Sequence, residues 1–318
     1  MGPPSSGGIA VLSILGTFEA LRPEPTNGPP TLVDWSAFLW ASRLAYTDRD
    51  HYVGDDTVVP VPTAGLVDPR YLRARAGALV DLQRAAGRLV PGDPSLIVGG
   101  ESLFGRWGRD RTQEVPGTTH LSVVDGNGNA VALTATVESL FGSQRFAGGF
   151  FLNNQLTDFS LNPTLGGAPV ANAVAPGKRP RSSMAPTILT TPDGELWGVI
   201  GSPGGSGIIA YVSRTILGVT DFGLTMQEAI EQPILVANRP QVRAELQKLD
   251  PAIANGLRSR GWELQPTTLE ASGLHGIRVL PDGQLQGGAD PRREGAVIEV
   301  TRRGAIVVQT PSPAAPSR

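Results

Sequence analysis

At Gly117-Thr118-Thr119-His120 a stretch rich in glycine, proline and charge gives way to alternating residues, and this junction is where the chain offers a nucleophile. A hydroxyl is a weak nucleophile unless a base stands beside it. The chain has no cysteine, which excludes thiol chemistry, disulfides and the common zinc-cluster patterns together. Its three histidines, His51, His120 and His275, show neither the spacing of a metal pair nor the company of a Ser-His-Asp triad, and each reads as structural. One remaining solution is a threonine whose own α-amino group, with a pKa of about 8, is the base. That amine exists only if the bond between Gly117 and Thr118 is cut. On spacing alone, Thr118 and Thr119 read more simply as strand formers.

The elements around this junction follow from periodicity. Apolar Ile9, Leu12, Leu15 and Phe18 recur at helical spacing and predict a first helix from Ile9 to Leu21 behind the turn Gly7-Gly8. A second helix runs through Phe38, Leu39, Ser42 and Tyr46 to Asp48-Arg49, with Asp34 as its expected cap, and a third spans roughly Pro69 to Arg88. From Val90 to Gly117 periodicity is lost, which predicts a loop or linker. Beyond it, His120 to Asp125 and Ala130 to Thr136 alternate on either side of the turn Gly126-Asn-Gly-Asn129, the signature of a β-hairpin. Further strands are expected at Pro186 to Thr190, Leu196 to Gly201, Gly276 to Leu280 and Ala296 to Thr301. Helices are expected at Ile208 to Gly218, at Thr225 to Gln232 behind a Thr225/Glu228 capping box, and near Asp250 to Gly261. The segment from Thr310 to Arg318 reads as disordered.

Composition narrows the function. With 318 residues, 40% hydrophobic and 18% charged, the chain is long and apolar enough to build a substantial globular core. A net charge of -2 and the lack of a basic stripe argue against a nucleic-acid partner. No apolar run approaches the roughly 20 residues that span a bilayer. The first eight residues, Met1-Gly-Pro-Pro-Ser-Ser-Gly-Gly, lack the basic and apolar regions of a signal peptide, so the chain as written reads as cytoplasmic and as starting in mid-fold.

Four passages occur in order: Thr118-Thr-His-Leu-Ser-Val-Val-Asp125, Leu152-Asn-Asn-Gln-Leu-Thr-Asp-Phe-Ser160, Gly177-Lys-Arg-Pro-Arg-Ser-Ser-Met-Ala-Pro-Thr187 and Gly201-Ser-Pro-Gly-Gly-Ser206. Together they resemble the small subunit of γ-glutamyltransferases, which are N-terminal-nucleophile hydrolases. The likeness extends to Pro3-Pro-Ser-Ser-Gly-Gly8, Asp48-Arg49 and Gly288-Ala-Asp-Pro-Arg292. The resemblance implies an α+β fold, a four-layer αββα sandwich with part of the large subunit missing. Residues 1–117 would be the C-terminal part of that large subunit, and residues 118–318 the small catalytic subunit. It further implies self-cleavage between Gly117 and Thr118, with Thr118 then attacking the γ-carbonyl of glutathione or another γ-glutamyl compound. Water, an amino acid or a peptide would accept the γ-glutamyl group, and no cofactor or metal is expected.

Residue by residue, Thr136 matches the hydroxyl that supports the nucleophile, and Gly204 and Gly205 match the pair whose N–H groups form the oxyanion hole. Ser182 and Ser183 match the hydroxyls that hold the substrate carboxylate, while Asp158 and Gln155 match its ammonium partners; such donors and acceptors suit a zwitterion. Three departures stand out. The long segment that precedes Pro3-Pro-Ser-Ser-Gly-Gly8 in the family, with its signal peptide and an arginine for the glutamyl carboxylate, is not in this sequence. Glu138 stands where several members place Asn, and the stretch from Leu161 to Asn172 is shorter than the lid-bearing loop of some members. The family expectation of a periplasmic or secreted enzyme therefore sits beside two alternatives. One is a glutaryl or cephalosporin-type acylase; the other is a truncated relic or partner-dependent subunit with no activity of its own.

Overall fold

The computed structural model describes residues 1–22, 24, 28–79, 89–112, 114, 117–267, 270–300 and 306–311. The helices are α1 (Gly7–Leu21), α2 (Leu32–Tyr52), α3 (Thr63–Leu66), α4 (Pro69–Gly77), α5 (Ser95–Val98), α6 (Ile208–Thr220), α7 (Met226–Glu231) and α8 (Pro251–Ser259). The strands begin with the hairpin β1 (Thr118–Val124) and β2 (Ala130–Thr136), followed by the short pairs β3 (Phe146–Ala147) with β4 (Phe150–Phe151) and β5 (Thr164–Leu165) with β6 (Ala168–Pro169). Then come β7 (Thr187–Thr190), β8 (Leu196–Gly201), β9 (Leu235–Val236), β10 (Val242–Ala244), β11 (Leu264–Pro266), β12 (His275–Val279), β13 (Leu285–Ala289), β14 (Val297–Val300) and β15 (Ile306–Gln309).

The central sheet has the order β13-β12-β8-β7, antiparallel throughout. Helices α6 and α7 lie on one of its faces, with α1 packed on α6 and α2 on α1. Ile14, Phe18, Phe38, Leu39, Ile208 and Ile209 from these helices share one core with Ile200 of β8, and each of the seven is at most 3% exposed. Burial of such side chains stabilises by about 2 kcal/mol apiece. This core draws on residues from both sides of Gly117, from Ala10 to Tyr46 and from Ala185 to Leu274.

The other face of the sheet carries the β1–β2 hairpin, which contacts β7, β8 and β12. Strand β8 is therefore buried on both faces, and its last four residues are all buried. The hairpin's polarity is inverted. Its inward residues are Thr118, His120, Ser122, Thr134 and Thr136, whereas Leu121, Val123, Val131 and Leu133 on the outer face are 44 to 51% exposed. Helices, four-stranded sheet and hairpin are three of the four layers of the expected sandwich; the outer face of the hairpin is open among the described residues.

Most predicted elements are present, with instructive shifts. Helix α2 is capped by Thr31 rather than Asp34, which is instead the third helical residue and completes a capping box. Thr31 sits in extended geometry and accepts from Asp34 N–H, while the Asp34 carboxylate returns to Thr31 N–H at 2.7 Å. The helix also continues three residues past Arg49 to Tyr52. The third helix ends at Gly77, with Ala78 as its C-cap, short of the predicted end at Arg88; residues 80–88 lie outside the described residues, as does most of the 310–318 tail.

Candidate active site

The site assembles where the hairpin ends meet the start of α1 and the segment 182–184. Ser6 donates from both its N–H and its hydroxyl to the carbonyl of Ser182, at 2.8 and 2.7 Å, and Ser5 Oγ donates to the Met184 carbonyl at 2.6 Å. These bonds anchor the 182–184 segment to the start of α1, and Ser182 and Ser183 line one pocket with Thr118. A pocket forms there, lined by Glu114, Thr118, Thr136, Glu138, Gln155, Asp158, Ser182, Ser183, Met184, Gly205 and Ile208. Nine of the ten residues expected at the site are accounted for at this pocket, as lining or, for Gly117, as the residue bonded to Thr118. The tenth, Gly204, is outside the lining and adjoins it through Gly205.

The hairpin register pairs Thr118 directly with Thr136. Their hydroxyl oxygens are 3.0 Å apart. Thr136 Oγ1 also lies 3.3 Å from the Gly117 carbonyl oxygen and receives the Glu138 N–H at 2.8 Å. A hydroxyl has one proton and two lone pairs. The three contacts use all of them if Thr136 donates to Gly117 O and accepts from Thr118 Oγ1–H and Glu138 N–H. Gly117 is held so closely that an added Cβ would fall 1.9 Å from the Glu138 carbonyl oxygen. Glu138 itself has a φ of 74°, in the left-handed region that non-glycine residues avoid.

Thr118 is fixed from the opposite side by Arg293, whose guanidinium donates to the Thr118 carbonyl at 3.2 Å and to the Ala271 carbonyl at 2.9 Å. His120 lies two residues along the same inward face, with Nδ1 2.8 Å from Thr134 Oγ1 and Nε2 3.0 Å from Ser122 Oγ. Burial, with a smaller contribution from His275, lowers its pKa to about 4. His120 is a neutral packing residue, as expected from its isolation in the sequence.

Asp158 ends a 3-10 turn, Gln155–Asp158, and its Oδ2 accepts from the Gln155 side-chain amide. Its Oδ1 is buried without a hydrogen-bond partner among the described residues. Burial first, then the carboxylates of Glu114 and Glu138, push the Asp158 pKa up to about 7. An orphaned acceptor beside two other acids is a place where a cation is stabilised. Glu138 is satisfied internally, by Ser139 Oγ at 2.6 Å and by the Asn154 amide.

Gly204 and Gly205 have φ values of 135° and 57°, and a Cβ on Gly204 would meet the Tyr211 ring at 2.4 Å. The backbone there is accessible only to glycine. The turn Gly205–Gly207 leads into α6, so its first N–H groups lie at the positive end of a helix and lack intrahelical partners.

Two charged residues in the site escaped assignment from sequence. Arg49 of α2 is 3% exposed and donates to Ser183 Oγ at 2.6 Å, to Ser6 Oγ at 2.8 Å, and to the carboxylates of Asp50 and Glu114. Glu114 lines the pocket itself.

The family described as gamma-glutamyltranspeptidase matches residues 1–300. Over 303 residues the chain is 37% identical to the glutathione hydrolase proenzyme of Escherichia coli (strain K12), covering 92% of this chain and 49% of that protein. It is 32% identical over 304 residues to the glutathione hydrolase proenzyme of Bacillus subtilis (strain 168), covering 94% and 50%. The chain thus spans about half the length of these curated relatives. Among solved structures, γ-glutamyltranspeptidase from Pseudomonas nitroreducens complexed with L-DON aligns with a TM-score of 0.51 at 34% identity, over 57% of this chain and all of that one. Cephalosporin acylase from Bacillus halodurans aligns over 92% of this chain and 49% of its own, with a TM-score of 0.72 at 24% identity, which shows a common fold. The fold is the α+β architecture of the N-terminal-nucleophile hydrolases, and the chain belongs to the γ-glutamyltranspeptidase family.

Proposed function

We propose that this protein is a self-cleaving γ-glutamyl hydrolase or transpeptidase with Thr118 as nucleophile. The observation that carries this reading is the single hydroxyl of Thr136 in reach of both Thr118 Oγ1 and the Gly117 carbonyl. In the uncut chain Thr118 Oγ1 attacks the Gly117 carbonyl carbon while Thr136 polarises its oxygen. The acyl group moves from nitrogen to oxygen, and water hydrolyses the resulting ester. The products are a new carboxylate at Gly117 and a free α-amine on Thr118.

That amine then takes the proton from Thr118 Oγ1 as the oxygen attacks the γ-carbonyl of a γ-glutamyl donor such as glutathione. N–H groups of Gly204 and Gly205 receive the developing oxyanion. The leaving amine carries off the proton, and a γ-glutamyl ester remains on Thr118. Water, an amino acid or a peptide resolves it. Ser182 and Ser183 hold the donor's α-carboxylate, and Asp158 with Gln155 holds its ammonium. The unpartnered Asp158 Oδ1 favours a donor that has an α-amino group over a glutaryl amide that lacks one.

The exposed aliphatic row Leu121, Val123, Val131 and Leu133 supports a further part of this reading. Residues equivalent to the other half of the relatives' length, in the same polypeptide or in another, cover this face and complete the sandwich. The working location is periplasmic or secreted, which cell fractionation tests.

Turnover of γ-glutamyl-p-nitroanilide against glutaryl-p-nitroanilide tests the activity. Release of nitroaniline from the γ-glutamyl compound alone is the expected result. Turnover of the glutaryl compound alone indicates an acylase, and turnover of neither indicates a chain that is inactive by itself.

A further inference from the structure

Glu114 lies four residues before Thr118, on the side of the bond proposed to be cut that ends at Gly117. Yet its carboxylate is inside the pocket, in the lining that includes Asp158, Ser182 and Ser183. Arg49 Nη2 bridges this carboxylate and the Ser183 hydroxyl. The pair is shielded from water, with the Arg49 and Glu114 side chains 3% and 6% exposed, so the contact is a strong, charge-assisted one.

The surrounding charges show what Glu114 balances. Arg49 reaches Asp50 at 3.0 Å, Arg109 reaches the same Asp50 at 3.2 Å, and Arg181 reaches Asp110 at 3.0 Å and Asp50 at 3.9 Å. Three guanidiniums, of Arg49, Arg109 and Arg181, therefore face three carboxylates, of Asp50, Asp110 and Glu114. Without Glu114, Arg49 keeps Asp50 through Nη1, but its Nη2, beside the Ser183 hydroxyl, loses its carboxylate partner. Glu114 meanwhile repels Asp158 and, after burial, contributes to its raised pKa. A carboxylate from outside, attached to an ammonium that meets Asp158, satisfies Arg49 and Ser183 and relieves that repulsion at once.

We infer that Arg49, together with Ser183, is a binding residue for the α-carboxylate of the donor, and that Glu114 occupies its position in cis until the chain is cut. The inference rests on the γ-glutamyl reading of the pocket. Cleavage after Gly117 frees one end of the segment that carries Glu114, and the intramolecular advantage that holds its carboxylate in place is reduced. The uncut chain is thereby self-blocked at the position where the cut enzyme grips its substrate.

The test is calorimetric titration of the uncut Thr118→Ala chain with L-glutamate and with glutarate. Adding Glu114→Ala is expected to tighten L-glutamate binding by at least tenfold, and adding Arg49→Lys to that variant is expected to reverse the gain, with melting temperatures matched throughout. Should Arg49→Lys fail to fold, Ser183→Ala replaces it with the same expected direction. An unchanged affinity on Glu114→Ala, or a gain that survives both Arg49→Lys and Ser183→Ala, overturns the inference. The two readings fail separately. Equal gains for glutarate and L-glutamate leave Glu114 and Arg49 in these roles but remove the ammonium grip. Turnover of γ-glutamyl-p-nitroanilide by the cut chain with no gain on Glu114→Ala does the reverse.

Discussion

The hydroxyl of Thr136 lies 3.0 Å from that of Thr118, directly across the hairpin. Since the same oxygen is 3.3 Å from the Gly117 carbonyl, it touches nucleophile and target together. Thr136→Ala removes that donor and leaves the Glu138 N–H without its acceptor. Self-cleavage is expected to slow by about 10²-fold or more, the usual effect of losing a preorganised donor at a developing oxyanion. Thr136→Ser keeps the hydroxyl and is expected to stay within about tenfold of wild type. Time courses of fragment appearance on denaturing gels check both.

Gly117→Ala tests the fit around the bond itself. The 1.9 Å approach of an added Cβ to the Glu138 carbonyl oxygen forces the two backbones apart and carries the Gly117 carbonyl away from Thr136. Cleavage is expected to fall below detection over hours while the far-UV spectrum of the folded chain persists. Cleavage at the wild-type rate contradicts the placement.

Asp158 gives a pH signature. Its pKa is raised to about 7, so between about pH 4 and pH 7 the folded chain holds a proton that the unfolded chain has lost. The stability tied to that proton is present at low pH and is lost as pH rises through 7. Asp158→Asn is therefore expected to gain in melting temperature relative to wild type as pH rises through this window and to melt higher at pH 8, while abolishing γ-glutamyl turnover. Parallel pH–melting curves for the two proteins argue against a buried, repelled carboxylate at this position. His120 works in the opposite direction in the same window: with its pKa lowered to about 4 from the ordinary value near 6.5, it makes stability rise with pH, so the Asp158 signature is read in the difference between the two curves.

The outer face of the hairpin predicts association. Leu121 pairs with Leu133 and Val123 with Val131, which makes a contiguous exposed aliphatic patch. The chain expressed alone is expected to self-associate in sedimentation velocity runs, and Leu121→Lys with Val131→Lys to shift it toward monomer without lowering the melting temperature. A wild-type monomer under the same conditions contradicts a need for cover.

The hairpin was legible because it is local, whereas the roles of Thr118, Thr136 and the other site residues came from the resemblance to γ-glutamyltransferases. The Asn-Gly turn between two alternating runs fixes the hairpin register, and that register alone brings Thr118 opposite Thr136. The Thr225/Glu228 capping box likewise named the start of α7. What escaped is long-range. Arg49 meets Glu114 and Ser183 across 65 and 134 residues, and nothing in a helical pattern says which charged residue is buried. Strand β13 was missed because Gly287 and Gly288 are poor strand formers; they suit it because Val297 and Ile230 press against them, a constraint visible only in three dimensions.

The central claim is that Thr118 cuts the bond before it, and the most direct measurement is the intact mass of the expressed chain beside that of Thr118→Ala. The account predicts two wild-type fragments whose masses meet at Gly117 and Thr118, with the variant whole. A wild-type chain that stays whole after prolonged incubation under native conditions, or a variant that is cut at the same bond, contradicts it.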